Sequence, residues 1–180
     1  MSLLFLIEAS RMEKIPKPSI AKLTIQHDPT RFDCGHIGLN TFIRLHALSG
    51  QRANISQTYV AVIDTAIVGY HTLVVGDVAY EDSPERLAKG LPRHPVPMML
   101  LARLAVDHTW KGKGLGAALV TDAMRRTLQV ADIAGVRALL VHAKDEKAKS
   151  FYTHLGFEPF PGEPLTLYRL LKDLRAMLKA

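Results

Sequence analysis

Two features of the chain could do chemistry: the loop Lys111-Gly112-Lys113-Gly114-Leu115-Gly116 and the tyrosine Tyr152 that follows it. Three glycines within five positions permit positive φ angles and let a ligand come close to the backbone. If a helix begins near Leu115, the N–H groups of its first turn lack helical partners and sit at the positive end of the helix dipole. Such a terminus binds phosphate-like anions, and Lys111 and Lys113 add charge where a pyrophosphate would lie. A flexible strand-to-helix turn would carry the same glycines, so the loop alone leaves both readings open.

The loop needs a strand before it and a helix after it. Met98–Val106 is a nearly continuous apolar run broken only by Arg103, which predicts a central strand covered on both faces. Leu115–Ala134 places Leu115, Leu119, Ala123 and Met124 at helical spacing and predicts a helix of about five turns, with Gly135 as its C-cap. Ala138–Ala143 reads as a second buried strand. Asp145 then caps a helix to Leu155 with Ala148, Phe151, Tyr152 and Leu155 on one stripe, ended by Gly156. Tyr152 is a core aromatic or a functional group on this evidence.

Upstream, Leu23–Gln26 predicts a short strand, Leu39–Leu48 a helix, and Tyr59–Ile63 with Ala66–Val75 a hairpin turning at Asp64-Thr65. Gly76–Pro97 holds Pro84, Gly90, Pro92, Pro95 and Pro97 and predicts a long loop with one helical turn around Glu85–Lys89. It is either a functional loop or an insertion without a role. Phe157–Phe160 and Leu165–Leu170 predict short strands, and the tail through Leu178 an amphipathic helix. Strands mixed with helices give an α/β or α+β class with a mixed central sheet and a right-handed crossover over residues 98–143. Residues 1–18, with Pro16 and Pro18, are expected to form an extended or disordered lead-in, Met12 being an alternative start; residues 19–180 make a single domain.

Composition narrows the class. The chain has 180 residues, 48% of them hydrophobic, and a net charge of +6, which fits a globular domain whose excess charge serves either an anionic partner or plain solubility. The basic residues are scattered, without the long single-sign run of a disordered nucleic-acid arm. Leu3–Ile7 is too short for a membrane span and lacks the flanks of a signal peptide, which points to a cytoplasmic protein that does not enter a membrane. The single cysteine, Cys34, excludes an internal disulfide and reads as a small apolar residue in a turn. His71, His142 and His154 lie in regular elements without zinc-binding spacing, so no metal is expected. His142 reads as structural, with a place beside the cofactor cleft as its alternative.

Three phosphate-binding loops compete for residues 111–116. A P-loop requires a lysine followed by Ser or Thr in frame, and neither lysine here has one. The dinucleotide fingerprint matches Gly112, Gly114 and Ala117 formally, but too little chain follows to complete a doubly wound sheet. The third pattern, Arg/Gln-x-x-Gly-x-Gly/Ala, belongs to the GNAT N-acetyltransferase superfamily. The chain resembles that superfamily in three places in register: Leu101–Asp107, the loop itself with Lys111 in place of Arg or Gln, and Phe151-Tyr152-Thr153-His154-Leu155-Gly156-Phe157. The resemblance implies acetyl-CoA as co-substrate. It would place Leu104, Ala105 and Val106 along the pantetheine arm, with backbone groups from Leu104 and Val106. Lys111, Gly112, Lys113, Gly114, Leu115, Gly116 and Ala117 would hold the pyrophosphate. Tyr152 would be the general acid toward the leaving thiolate, and a phenol near pKa 10 against a thiol near 8.5 makes that transfer nearly matched.

A narrower resemblance extends over residues 23–170. His27–Gly35, Leu39–Ile43, Gly69–Leu73, Arg103–Asp107 and Ala138–Ala143 with Asp145–Ala148 look like the GNAT toxins of type II toxin–antitoxin systems. That resemblance implies acetylation of the α-amino group of aminoacyl-tRNA, blocking translation, and a ribbon-helix-helix antitoxin as partner. An α-amine with a pKa near 8 is partly neutral at pH 7, so no strong protein base is required; Asp107 and Glu146 read better as cap and solvated residue. Arg44, Arg52, Arg93 and Arg103 are the candidate tRNA contacts, and a homodimer joining two basic surfaces is expected. An ordinary GNAT enzyme for small amines or protein N-termini, and a non-catalytic nucleic-acid-binding module, remain the alternatives.

Overall fold

A computed structural model describes residues 16–179. Most of the expected lead-in lies outside the described residues, and Pro16–Pro18 is irregular chain running into the first strand. Among the described residues, seven strands form one sheet in the order β1-β2-β3-β4-β5-β7-β6. They are β1 Ser19–Lys22, β2 Gln57–Ile63, β3 Ala66–Val78, β4 Val96–Val106, β5 Ala138–His142, β6 Glu158–Phe160 and β7 Glu163–Leu170. All neighbours are antiparallel except β4 and β5. The chain therefore forms the expected mixed central sheet, mostly antiparallel and flanked by helices.

The parallel pair requires a crossover, supplied by α4, Leu115–Ala131. Leu115, Leu119, Val120, Ala123 and Met124 form its buried stripe. It lies on one face of the sheet with α5 (Glu146–His154) and α6 (Leu171–Lys179), over a core that includes Leu73, Leu101, Leu139, Val141, Tyr152 and Leu174. On the other face lie α1 (Ile37–Thr41) and α2 (Ala47–Arg52), joined by a π-helical stretch Phe42–His46, and the short α3 (Glu85–Ala88). Phe32, Ile43, Val60, Tyr70 and Ala105 form the core on the side of the first two, and Leu87 of α3 packs with Met98, Leu140 and Tyr168.

Several element boundaries depart from expectation. The first strand is Ser19–Lys22 rather than Leu23–Gln26, because Leu23 is the buried residue that ends the strand pairing and turns the chain into the loop that follows. Helix α4 stops at Ala131 with Asp132 as C-cap, three residues short of Ala134, and Gly135 does not serve as its cap. The N–H groups of Asp132, Ile133 and Ala134 instead close tight turns onto Gln129 and Val130. Asp145 caps α5 as expected, its carboxylate accepting from Ala148 N–H at 2.7 Å. The hairpin turns at Asp64, whose φ of 53° is left-handed. Gly76–Pro97 is less loop than expected: β3 continues to Val78, β4 starts at Val96, and a 3₁₀ turn at Tyr80–Asp82 and α3 lie between.

Candidate active site

The parallel strands β4 and β5 pair only from Met98–Leu101 to Ala138–Val141. Beyond Leu101, β4 runs on to Val106 with β3 as its only neighbour among the described residues, so the opposite edge of Ala102–Val106 is left open by them. Thr72 pairs with Arg103 and Leu73 with Leu101, which leaves Ala102 as an extra residue, a β-bulge at the point where the strands part. Asp107 N–H bonds the Val68 carbonyl of β3, so by strand alternation Ala105, opposite Tyr70, also faces β3, while Leu104 and Val106 turn their backbone groups to the open edge. An extended, amide-bearing ligand can pair with such an edge as an added strand does.

The glycine loop closes the wide end of this gap. Gly112 and Gly114 hold φ angles of 73° and 80°, and Gly114 is the N-cap of α4. A Cβ at either would meet no protein atom within 4 Å, so backbone conformation, and not crowding, requires the glycines. The first helical bond runs from Ala118 N–H to Gly114 C=O at 3.1 Å. Among the described residues, the amides of residues 112–117 make no hydrogen bond. Six consecutive free N–H groups at the positive end of a seventeen-residue helix form an anion site.

The lysines are placed differently from each other. Lys111 Nζ donates to the Cys34 carbonyl at 2.7 Å, and Lys113 Nζ lies 5.1 Å over the Trp110 ring. Residues 33–35 are tied to the loop by further bonds. Asp33 N–H donates to Asp107 Oδ2 at 2.9 Å, and His108 N–H to the Asp33 carbonyl at 2.9 Å. Asp107 Oδ1 accepts from the N–H and hydroxyl of Thr109, which caps the 3₁₀ turn His108–Trp110. Burial works to raise the Asp107 carboxyl, but its donors from Asp33 and Thr109 outweigh that and hold it below the usual carboxylate range. Asp107 is a buttress, and every proton it could take is opposed by these donors. Cys34 is buried against the α1–α2 core and donates its thiol to Asn40 Oδ1 at 3.2 Å.

Tyr152 lies in the core cluster of Leu101, Val141 and Ala143, beside the last paired residues of the two strands. Its ring meets Phe151 and Phe157 edge-on at 5.1 and 5.5 Å. Its hydroxyl makes no hydrogen bond among the described residues and is not among the sealed, unpartnered polar atoms, so it opens to solvent. Burial pushes its phenol well above the ordinary range. Phe151 points instead toward Gly116, where a Cβ would lie 3.5 Å from its ring, and so joins α5 to the start of α4.

The four candidate arginines are not one cluster. Arg103 stacks its guanidinium 3.9 Å over Phe42 and makes no ion pair among the described residues. Arg44 is spent on the carbonyls of Pro29 and Phe32. Arg52 is exposed at the end of α2. Arg93 is exposed before β4, at the opposite end of that strand from Arg103, roughly 20 Å or more away at about 3.3 Å per residue.

A polar network that the sequence did not single out joins the sheet to α4. His71 Nε2 meets Asp122 Oδ2 at 2.7 Å, Arg126 meets the same oxygen at 2.7 Å, and Arg126 covers the Tyr59 ring at 3.6 Å. Desolvation holds the His71 imidazole below its ordinary value despite Asp122. Asp122 and Arg126 stand at i,i+4 on α4, a spacing legible in the sequence, but their joining to His71 and Tyr59 of the sheet has no sequence signal.

The glycine loop also borders a cleft of about 530 Å³ lined by Lys17, Trp110, Lys113, Thr121 and Arg125. A separate apolar groove of about 470 Å³, between Ile55, Val75, Met99 and Ile133, lies away from the loop. Among the described residues no three His, Cys, Asp or Glu side chains are grouped to hold a metal, and no helix is long and apolar enough to cross a membrane.

The open β4 edge leads into the free helix-terminal amides, and the acetyltransferase (GNAT) domain matches residues 54–159. The chain belongs to the GNAT acetyltransferase family. This GNAT domain is 42% identical over 151 residues to the tRNA-acetylating toxin of Mycobacterium tuberculosis (strain ATCC 25618 / H37Rv), covering 84% of this chain and 90% of that protein. It is similar to AtaT complexed with acetyl-methionyl-tRNAfMet, with a TM-score of 0.83 and 32% identity over 89% of this chain and 99% of the other. It also resembles a mutant AtaT toxin bound to the C-terminus of the antitoxin AtaR and acetyl-CoA, with a TM-score of 0.78 and 29% identity over 92% and 100% of the two chains.

Proposed function

We propose that this GNAT enzyme transfers the acetyl group of acetyl-CoA to the α-amino group of aminoacyl-tRNA and thereby removes charged tRNA from translation. The observation that carries the reading is the continuity of the open edge Ala102–Val106 with the six free amides of residues 112–117. A pantetheine arm can lie along Leu104, Ala105 and Val106, pairing with the outward backbone groups of Leu104 and Val106, and the pyrophosphate can take the amides from Gly112 to Ala117. Lys113 adds charge, while Lys111 fixes the loop through Cys34. Tyr152, a phenol that is protonated at neutral pH at its ordinary value and that burial shifts further upward, is the general acid for the departing thiolate.

The relatives support the acceptor and the setting: a tRNA-acetylating toxin, and a neighbour solved with acetyl-methionyl-tRNAfMet. A net charge of +6 suits a tRNA surface, whose phosphates are contacted with little regard to sequence. We further propose that the protein acts in the cytoplasm, works as a homodimer joining two basic surfaces, and is countered by an antitoxin of the ribbon-helix-helix type. A neighbour bound to an antitoxin C-terminus favours such a partner.

The test is incubation with labelled acetyl-CoA and charged tRNA, comparing wild type with Tyr152→Phe. Label is expected on the aminoacyl group with wild type and to be strongly reduced with the variant. Label on uncharged tRNA, or on free amines alone, overturns the tRNA reading. A monomeric mass by light scattering overturns the homodimer.

A further inference from the structure

The proton of the attacking amine has no assigned destination, and His142 is placed to take it. His142 is the last residue of β5, one step past the final β4–β5 pair Leu101–Val141, so it stands where the two strands part. Strand alternation puts it on the face of Ala138 and Leu140, the same face as Arg103 and opposite to the face that Tyr152 covers. The gap between the strands is thus bordered by Tyr152 on one face and His142 on the other.

Its hydrogen bonds fix its tautomer. His142 Nδ1 lies 2.9 Å from Thr166 Oγ1, its cross-strand partner's hydroxyl, and Thr166 Oγ1 lies 2.7 Å from Glu163 Oε2. Thr166 has a single hydroxyl proton, and the Glu163 carboxylate can only accept it. The Thr166 oxygen must therefore accept from Nδ1–H. That leaves the lone pair on Nε2, and the residue is exposed. Thr166, by contrast, is only 6% exposed, so the middle of the chain is shielded and its geometry held. A histidine whose far nitrogen is held by a hydroxyl backed by a carboxylate is oriented as a base.

We infer that His142 is the general base of the transfer, positioned by Thr166 and Glu163, on the acceptor side of the gap. This rests on the proposed amine acceptor and acetyl-CoA donor. The amine nitrogen forms a bond to the thioester carbonyl carbon and gives its proton to His142 Nε2. The carbon–sulfur bond then breaks with its electron pair on sulfur, which takes the Tyr152 hydroxyl proton. The products are an N-acetyl amide and free CoA thiol, and one proton passing from His142 to Tyr152 through solvent resets the enzyme. Acid and base on opposite faces let each serve one bond, without either having to cross the sheet. The relay also gives Thr166 and Glu163 a role as positioning residues.

The experiment measures CoA thiol release with charged tRNA and, in parallel, with a small primary amine. His142→Asn keeps an N–H for Thr166 but has no basic nitrogen, and His142→Ala loses both. Both variants are expected to lose about 100-fold or more in rate with an unchanged KM for acetyl-CoA. Added imidazole should restore part of the rate of His142→Ala and none of that of His142→Asn. Thr166→Val and Glu163→Gln should show smaller losses. Wild-type rate in His142→Asn overturns the inference, because it leaves the histidine a merely structural donor to Thr166. A wild-type enzyme inactive on charged tRNA but active on the amine sinks the tRNA reading instead, while the variants still test His142 on the amine. Should His142→Ala fail to fold, His142→Asn alone decides.

Discussion

The ammonium of Lys111 is hydrogen-bonded to the carbonyl of Cys34 at 2.7 Å, so the first residue of the glycine loop holds the N-terminal segment. This changes what a lysine at that position is for. With its charge committed to residue 34, the free amides of residues 112–117 carry anion binding, and Lys111 sets their position. Lys111→Met keeps the stem and removes the bond. The expected outcome is a several-fold rise in KM for acetyl-CoA together with a lower melting temperature of the ligand-free protein. A bond of this kind is worth about 1 kcal/mol, a fall of about 2–4 °C for a chain of this size. A lysine that served the pyrophosphate directly would raise KM and leave ligand-free melting unchanged.

Tyr152→Phe separates chemistry from packing. The hydroxyl makes no hydrogen bond among the described residues, while the ring packs between Phe151 and Phe157. Thermal melting should therefore stay where it is, and kcat should fall by about 100-fold or more with little change in KM. Burial raises the phenol above its ordinary value near 10, so wild type should keep its acid through pH 9 to 10, with no fall in rate from this group. A loss of activity near pH 8 that Tyr152→Phe abolishes would contradict this.

The sequence exposed the parts of the site that depend on local pattern. Glycine spacing, the apolar run before it and the Phe-Tyr pair after it are carried by neighbouring residues, and they gave the loop, β4, α4 and α5. What stayed hidden depends on distance across the fold. The parting of β4 from β5 after Leu101 exists only in strand register, as does the bulge at Ala102. The Lys111–Cys34 bond and the Asp33–Asp107 bond join residues 77 and 74 positions apart. The strand Ser19–Lys22 was missed because it lies at the sheet edge with no fully buried residue, so its alternation is weak. The π-helical turn Phe42–His46 carries no period that distinguishes it from an α-helix.

His71 sets an acid limit on stability. Desolvation keeps its imidazole neutral in the native state below the ordinary value near 6.5, with the Asp122 bond opposing that only in part. The unfolded chain binds the proton first, so it holds more protons than the native state and stability falls as pH drops below about 6.5. The slope is at most about 1.4 kcal/mol per pH unit. Asp122 and Asp107 sit below the usual carboxylate range, so their contribution is present above their ordinary value and is lost at pH below about 4. Urea midpoints should fall from pH 7 to 5, and His71→Gln should flatten that fall. Equal slopes in the two proteins would mean the imidazole titrates as a free one does.

The arginines separate by what each already holds. Arg103 lies over Phe42 without a carboxylate partner among the described residues, on the face where His142 ends β5, so they leave its charge to a phosphate of the acceptor. Arg103→Ala should weaken tRNA binding and reduce the slope of log affinity against log salt by about one contact, roughly 0.7 for a single strand. The acetyl-CoA KM should stay unchanged, since Arg103 belongs to the acceptor face. Arg44 is already bonded to Pro29 and Phe32, so Arg44→Ala should lower the melting temperature by a few degrees before it changes the salt slope. Arg93 stands at the far end of β4, and Arg93→Ala should leave acetylation of the aminoacyl end unchanged. Filter binding across a salt series reads all three variants, and an unchanged slope in Arg103→Ala would show that the guanidinium serves Phe42 alone.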